Sequence, residues 1–435
     1  MTLRLHAALA TLVAVALTAP LAAQDTTARG VRIGLTYQPG TRPGVVVLPV
    51  NGANGDSVRT ILQRDLDFGD RVIVVGREGT TVADVARQQG STMNYQLWRA
   101  LGALAIIQAT ATASGVRVAV HDVTAAGILN ARDFTLPSPA LSAAWRMALH
   151  GVSDEIERWI TGTRGAAQTR VAYVRGGRIH VVDSDGYGER AVSEQGTALS
   201  PAWHPSGRWI AYSVFGPRGT QIVVRDVQSG GTRVASPRPG LNITPEFSPD
   251  GSLLIWAFAE ENGSDLVATS YPGGGDPRRI TVGRGSDNVS PSFSPDGRRL
   301  AFTSNRAGHP EIYTADVDGA NVELLTTYLA GDQSYRSNPA WSPDGRVVAF
   351  QSQVAGRFQI MTISLRDRGM KQLTSEGINE DPAWAPDGRH LVFTSTRTGT
   401  KQLYVLDAET GRARQLTRAG GARLAAWSRV LDRTP

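Results

Sequence analysis

The residue types that most often carry out chemistry are sparse in this sequence, and none falls at a catalytic spacing. The seven histidines lie far apart and form no H-E-x-x-H pattern, so no preassembled histidine metal site is predicted. No G-x-S-x-G segment offers a serine nucleophile. Cysteine is absent, which excludes disulfides, thiolate ligands and a cysteine nucleophile. We therefore predict no catalytic, cofactor-binding or metal-binding residues.

Three short segments resemble ligand loops without their essential ligands. DSDG at 183–186 and DVDG at 316–319 lack the further oxygen ligands and final glutamate of a calcium loop, so they are interpreted as turns. YPGGGDP at 271–277 lacks the lysine of a phosphate loop and lies between predicted strands. The alternative is a cation held by carboxylates in a central channel, or an exported lyase or hydrolase that uses dispersed residues there.

The composition is that of a soluble globular protein of more than one domain. The chain has 435 residues, of which 41% are hydrophobic and 19% charged. The net charge of +6 comes from scattered arginines, with no basic stretch interleaved with aromatic residues. Nucleic acid is therefore not an expected partner, and we expect a monomer.

The first 23 residues have the features of a secretory signal peptide. A charged start at Arg4 is followed by an apolar run at 7–19 and then by PLAAQ, with cleavage after Ala22 or Ala23. A retained anchor is the alternative. No later stretch has the apolar length of a membrane span, so we predict an exported chain without a span in its mature part.

One motif recurs along the C-terminal two thirds of the chain. The copies are PAWHPSG at 201–207, PEFSPDG at 245–251, PSFSPDG at 291–297, PAWSPDG at 339–345 and PAWAPDG at 382–388, with a degenerate sixth, LAAWS, at 424–428. Their aromatic residues lie 43 to 48 residues apart. Between copies the apolar pattern has a period of two, and Pro-Asp-Gly predicts a tight turn between strands.

These repeats predict a six-bladed β-propeller over 170–428, with a tail at 429–435. A four-stranded unit of this length cannot cover both faces of its sheet, so neighbouring units must stack around an axis. Residues 171–192 supply three strands without a preceding motif copy. We expect the strand around Trp427 to complete that blade and close the ring.

Residues 24–165 have a different pattern and predict an α/β domain. Strands are predicted at 45–50, 72–75, 105–109 and 116–120, with a helix at 57–66 between the first two. A second helix follows from the spacing of apolar residues at 141–160, capped by Gly162. The fold class is thus an α/β N-terminal domain followed by an all-β six-bladed propeller.

The chain resembles the TolB family, the periplasmic propeller component of the bacterial Tol-Pal envelope system. The segments that carry the resemblance are GVRIGLTYQPGTRPGVVVLPV at 30–50, RDL at 64–66, LWRALGA at 97–103, SDEIERWITGTRGAAQTRVAYV at 153–174, DSDGY at 183–187 and the repeats. The combination of the helix–linker–strand junction with the preceding α/β domain is more specific than the repeats, which other exported propellers share.

The resemblance implies a periplasmic, non-catalytic scaffold that acts in envelope integrity during division. It implies a Pal-like lipoprotein on the propeller face, a TolA-like inner-membrane protein at the mature N-terminal segment, and other outer-membrane proteins as further partners. Strand addition is a common binding mode for such a segment. The matching residues are Val31, Arg32, Ile33, Gly34 and Leu35, although about seven residues would precede them after cleavage.

Polar residues that enter the inner strands form the candidate site on the propeller. These loops share one face of the disc and converge on its channel, where polar groups can meet a partner. The alternative is that they are turn-forming residues. The candidates are Asn242, Thr244, Asp287, Asn288, Ser290, Arg336, Asn338, Asn379, Glu380 and Asp381.

Overall fold

The computed structural model describes residues 42–76, 93–194, 196–236, 238–283, 285–327 and 334–431. The predicted signal peptide and the segment with Val31, Arg32, Ile33, Gly34 and Leu35 lie outside these residues. Within the described ranges, no helix is long and apolar enough to cross a membrane.

The N-terminal domain is a five-stranded mixed sheet. Its strand order is β2-β1-β3-β4-β5, with β1 parallel to both neighbours and the remaining pairs antiparallel. The strands are β1 Gly44–Val47, β2 Ile73–Val74, β3 Ala105–Ala111, β4 Gly115–Asp122 and β5 Gly127–Thr135. The four predicted strands are present, and β5 was not predicted.

Helices cover both faces of this sheet. Among the described residues they are α1 Gly55–Phe68, α2 Tyr95–Ala100 and α3 Ala143–Thr161. Apolar residues of α1 and α3 pack with one face of the sheet, and Trp98 of α2 packs with the other. Ser142 caps α3 by accepting the Trp145 N–H at 3.2 Å, and Gly162 ends it at φ 81°, as its sequence predicted.

The rest of the chain forms six four-stranded antiparallel sheets arranged as a propeller, which confirms the predicted fold class. Each blade runs from an inner strand at the channel to a short outer strand. The blades are numbered along the chain. Blades 1 and 2 contain β6 Arg170–Arg175, β7 Arg178–Asp183 and β8 Arg190–Ala191, and then β9 Leu199–Trp203, β10 Trp209–Gly216, β11 Gly219–Asp226 and β12 Thr232–Val234. Blades 3 and 4 contain β13 Leu241–Phe247, β14 Leu253–Glu260, β15 Gly263–Ser270 and β16 Arg278–Arg279, and then β17 Asn288–Phe293, β18 Arg299–Ser304, β19 Glu311–Asp316 and β20 Glu323–Leu324. Blades 5 and 6 contain β21 Arg336–Trp341, β22 Val347–Val354, β23 Arg357–Ser364 and β24 Met370–Gln372, and then β25 Asn379–Trp384, β26 His390–Ser395, β27 Gln402–Asp407 and β28 Ala413–Gln415. The last strand, β29 Arg423–Trp427, belongs to blade 1.

The last strand closes the ring. β29 pairs antiparallel with β6 and becomes the inner strand of blade 1, with Trp427 opposite Val171. Ser428 extends the pairing, because its N–H donates to Arg170 O at 2.8 Å and its hydroxyl accepts the Arg170 N–H at 2.9 Å. The predicted closure is therefore present, and blade 1 has four strands like the other five blades.

The apolar core of the propeller lies between the blades. Six clusters each join two successive blades, and each contains or contacts one aromatic residue of the repeated motif. Phe293, for example, packs with Ile255 and Leu266 of the preceding blade. The motif aromatics thus lie between neighbouring blades, which explains why one blade cannot be stable alone.

The Pro-Asp-Gly turns that end the motif copies are stabilised by side chains of the motif itself. In blades 3, 4 and 5 the serine hydroxyl donates to the aspartate at 2.5 or 2.6 Å, and that aspartate accepts a backbone N–H two residues on. The glycines adopt positive φ, for instance 75° at Gly345. Blade 6 has Ala385 in place of the serine, and its Asp387 has other partners.

Candidate functional site

The topology gives the ring two unlike faces. One carries the Pro-Asp-Gly turns, where inner strands end; we call it the turn face. The other carries the connections that enter the inner strands and is called the crossover face. The N-terminal domain contacts the turn face, because its charged groups meet Asp387 and Arg412 of blade 6 and Asp185 of blade 1. The crossover face is therefore opposite this domain.

A β-bulge shapes every inner strand where it reaches the channel. One residue in each strand takes a positive φ, and strand pairing shifts register there. These residues are Ser200, Thr244, Ser290, Asn338, Asp381 and Leu424, with φ between 49° and 56°. Four of the six are candidates predicted from the sequence.

Those four candidates form a hydrogen-bonded arc across neighbouring blades. The Ser290 N–H donates to the Thr244 hydroxyl at 3.1 Å, and the Ser290 hydroxyl donates to Asn338 Oδ1 at 2.9 Å. Asn338 Nδ2 then donates to Asp381 Oδ1 at 2.8 Å. Burial, followed by the charge of Glu380, raises the pKa of Asp381. All four side chains remain partly exposed, so they can also meet a partner.

Asp287 and Glu380 flank this arc on the crossover face. Asp287 is exposed and accepts bonds from the Ser264 hydroxyl at 2.8 Å and from Asn305 Nδ2 at 3.0 Å. Glu380 is partly exposed and pairs with Lys401 at 2.6 Å. Both carboxylates are held in place yet accessible, which suits contact with another protein.

The structure places the other four predicted residues below the surface. Asn242, Asn288 and Asn379 are buried and bond to the neighbouring blade, as Asn242 does to Thr220 O at 2.8 Å. Arg336 is also buried and pairs with Glu311 at 3.0 Å. For these four we correct the expectation of direct contact, because their polar groups hold adjacent blades together.

Sequence reasoning missed exposed apolar residues on the crossover face. Val282, in the connection between β16 and β17, is 68% exposed, and Phe215, near the end of β10 on this side of the ring, is 56% exposed. Further examples are Leu241, Tyr335 and Ile378. The sequence signal that could have revealed these exposed residues is an apolar residue next to a predicted turn. Exposed apolar side chains beside polar ones are typical of protein-binding surfaces.

The contact between the N-terminal domain and the propeller is built from buried, paired charges. His390 contacts Asp387 at 2.6 Å and Asp70 of the N-terminal domain at 3.3 Å. These carboxylates overcome desolvation and raise the pKa of His390 to about 9. Arg71 joins Glu157 at 3.2 Å and Asp387 at 3.3 Å. These groups, with Arg389 and Arg412, form what we call the junction network.

A second part of this contact could be mistaken for a metal site. Ligand atoms of Asp65, His150 and Asp185 lie within 4.8 Å of one another. His150 contacts Asp65 at 2.7 Å, while Arg146 pairs with Asp185 at 2.8 Å and Arg64 also contacts that carboxylate. Because protein cations already neutralise these acids, the triad fits an ion-pair cluster better than a metal centre.

A cavity of about 720 Å³ follows the ring axis from just inside the arc toward the turn face. Its wall consists mainly of prolines, aromatic residues and small residues from the repeated motif. Glu246 is the one carboxylate among the described residues that line it, and Arg429 is the one arginine. Burial raises the pKa of Glu246 to about 8, and Arg429 opposes this rise.

Fold and site together define a six-bladed propeller with an N-terminal α/β domain and a polar arc at the crossover end of its channel. The family described as the TolB beta propeller domain matches residues 157–431. The chain therefore belongs to the TolB β-propeller family.

Individual relatives agree with this assignment. The Tol-Pal system protein TolB of Mannheimia succiniciproducens is 33% identical over 219 residues, covering 47% of this chain and 50% of that one. The protein of the same name from Histophilus somni (strain 129Pt) is 34% identical over 163 residues, covering 34% of this chain and 37% of that one. The chain thus spans half or less of the length of these curated relatives.

A solved structure shares nearly the whole architecture. The crystal structure of TolB from Acinetobacter baumannii superposes with a TM-score of 0.77 at 24% identity, covering 90% of this chain and 98% of that one. Putative TolB from Agrobacterium tumefaciens gives a TM-score of 0.50 at 21% identity, over 59% of this chain and 91% of that one. At these identities the likeness concerns the fold.

Proposed function

We propose that this chain is a periplasmic, non-catalytic scaffold of a Tol-Pal system, which binds a Pal-like lipoprotein through the crossover face. The observation that carries the proposal is the make-up of this face, where accessible polar side chains of the arc meet exposed apolar ones opposite the N-terminal domain. Interfaces combine such apolar anchors with a polar rim. Membership of the TolB β-propeller family supports the same role.

The proposed direct contacts are six of the ten candidates predicted from the sequence. They are Thr244, Asp287, Ser290, Asn338, Glu380 and Asp381. Asn242, Asn288, Arg336 and Asn379 would act indirectly, by fixing the blades that carry these six. The described wall of the channel has a single carboxylate, so no acid–base pair of carboxylates is assembled there for the alternative lyase or hydrolase chemistry.

The N-terminal segment is the proposed site for a TolA-like inner-membrane protein. Val31, Arg32, Ile33, Gly34 and Leu35 would bind as an added strand, as the family resemblance implies. Replacing all five by Gly-Ser repeats should abolish capture of that partner while capture of the Pal-like lipoprotein continues. Other outer-membrane proteins remain a further proposed partner class.

Charge reversal on the crossover face tests the main proposal. In pull-downs from envelope extract, the double variant Asp287→Arg with Glu380→Arg should lose most of a Pal-like lipoprotein that the unchanged chain captures. The matched control reverses Asp276 and Asp318, which are exposed in turns on the opposite face. Circular dichroism verifies folding. Equal capture by both double variants would contradict the proposed face.

A further inference from the structure

One position of the repeated motif differs in kind between blades. The residue directly before the motif aromatic is small in five copies and is Glu246 in blade 3. The five small residues are Ala202, Ser292, Ala340, Ala383 and Ala426. All six residues line the channel. Five small side chains keep the hub open, and the sixth places a carboxyl group in it.

Glu246 lacks the partners that the buried acids of the propeller have. No hydrogen bond or ion pair joins its side chain to a described residue, and Arg429, whose charge opposes the rise in its pKa, is exposed. Glu311 offers a contrast, because it is buried in blade 4 and bonded by Thr326, Ser334 and Arg336. A partly buried carboxyl group without a partner is costly to ionise, and it points to a ligand that supplies the missing charge.

The position of Glu246 relates it to the crossover face. It lies two residues beyond Thr244 on β13, so a segment that passes the arc from that face reaches the carboxyl group next. The cavity of about 720 Å³ has room for several side chains of an extended peptide. Its proline and aromatic walls suit the apolar parts of such a peptide.

We propose that the channel receives an extended segment of the protein bound on the crossover face, and that Glu246 pairs with a lysine or arginine side chain of this segment. The inference rests on the proposed function as a protein-binding scaffold and names the chemistry of the partner. A calcium or magnesium ion would need about six oxygen ligands, whereas the described wall offers one carboxylate.

Ionisation of Glu246 gives the pairing a measurable signature. A bound cation favours the carboxylate, so binding at neutral pH must release a proton from the protonated acid. Affinity for a basic peptide should therefore rise with pH up to about 8, the pKa of Glu246 in the free protein, and level off above it. A peptide with glutamine in place of the basic residue should lack this rise.

The experiment selects ligands without assuming their identity. A phage-displayed library of random twelve-residue peptides, of about 10⁹ clones, is panned against the full chain, against Glu246→Gln and against Glu323→Gln. Glu323 is exposed on the outer strand of blade 4 and is the matched control. Selected peptides are resynthesised, and their Kd values are measured by fluorescence anisotropy between pH 6 and 9.

The unchanged chain and Glu323→Gln should enrich peptides with a lysine or arginine at one fixed position. Replacing that residue by glutamine should weaken binding about tenfold or more for these two proteins and leave binding to Glu246→Gln unchanged. The proposal would be overturned if no peptides were enriched, or if the enriched peptides had no preference for a basic residue. It would also be overturned if the glutamine replacement weakened binding to Glu246→Gln as much as binding to the unchanged chain.

The pull-down with reversed Asp287 and Glu380 separates this result from the proposed function. If the preference for basic peptides is absent but the lipoprotein is still captured, only the proposed role of Glu246 is contradicted. Retained basic preference without any capture of a lipoprotein would instead contradict the scaffold role.

Discussion

Charged side chains are paired in the junction network, whereas the carboxyl group in the channel has no described partner. At the junction, Asp387 faces His390 and Arg71, and Arg389 pairs with Asp407 at 2.7 Å. In the channel, Glu246 faces small residues and no described partner bonds to it. Paired buried charges fix one arrangement of two domains, whereas an unpaired one leaves part of its interaction for a ligand. Burial alone therefore does not separate structural acids from binding ones, but the presence of partners does.

The largest expected effect comes from breaking the junction. Asp387→Ala leaves buried His390 and Arg71 without their shared carboxylate, and it should lower the free energy of unfolding by about 3–5 kcal/mol. Asp344→Ala removes the same turn aspartate from blade 5, away from the N-terminal domain, and should cost about 1 kcal/mol. Urea unfolding measures both. Equal losses of stability in the two variants would show that Asp387 stabilises the protein only through its turn and that its pairing with His390 and Arg71 adds nothing.

A smaller effect should appear as a pH dependence of stability. The pKa of His390 is about 9 in the folded chain against about 6.5 unfolded, so its stabilisation is complete below pH 6.5 and is lost as pH rises through 9. The groups that face it are Asp70, Asp387, Glu157 and Arg71. The free energy of unfolding should fall by about 3 kcal/mol over this interval.

The His390→Gln variant should lose this part of the pH dependence. His204→Gln is the control, because burial lowers the pKa of His204, so this residue does not titrate above pH 6.5. Unfolding is followed at several pH values for all three proteins. An unchanged slope in His390→Gln would assign the pH dependence to other groups.

A further effect on stability should come from the channel and have the opposite sign. The raised pKa of Glu246 means that ionisation opposes folding, so Glu246→Gln should stabilise the chain at pH 9 and leave its stability unchanged at pH 4. Thermal unfolding at the two pH values measures the difference. Destabilisation at pH 9 would mean that Glu246 has a partner in the folded protein.

The repeated motif predicted the ring because each part has a local physical role. Proline, aspartate and glycine define a turn, and the motif aromatic must be buried between blades. The missing strand of blade 1 could be deduced from Trp427 by counting strands. β5 was not predicted because it is largely exposed and lacks a clear alternation of apolar and polar residues. α2 was not predicted because its six residues are too few to show a helical period.

The candidate site was less predictable, because its members depend on distant partners. Asn379 looks like any polar residue before a strand, and only the fold shows that Gln359 of the preceding blade accepts its side-chain bond at 2.8 Å. Glu246 could have been found by comparing the six motif copies, since no other copy has an acid at that position. Its lack of a partner required the structure.

The pKa of Glu246 tests the contrast between junction and channel most directly. Carbon-13 NMR of labelled glutamate carboxyl groups can follow it in the intact chain, with Glu246→Gln identifying its signal. We predict a titration near pH 8 in the free protein and a shift to lower pH when a selected basic peptide binds. A titration near pH 4.5 without any ligand would show that the carboxylate is already stabilised and would contradict the account.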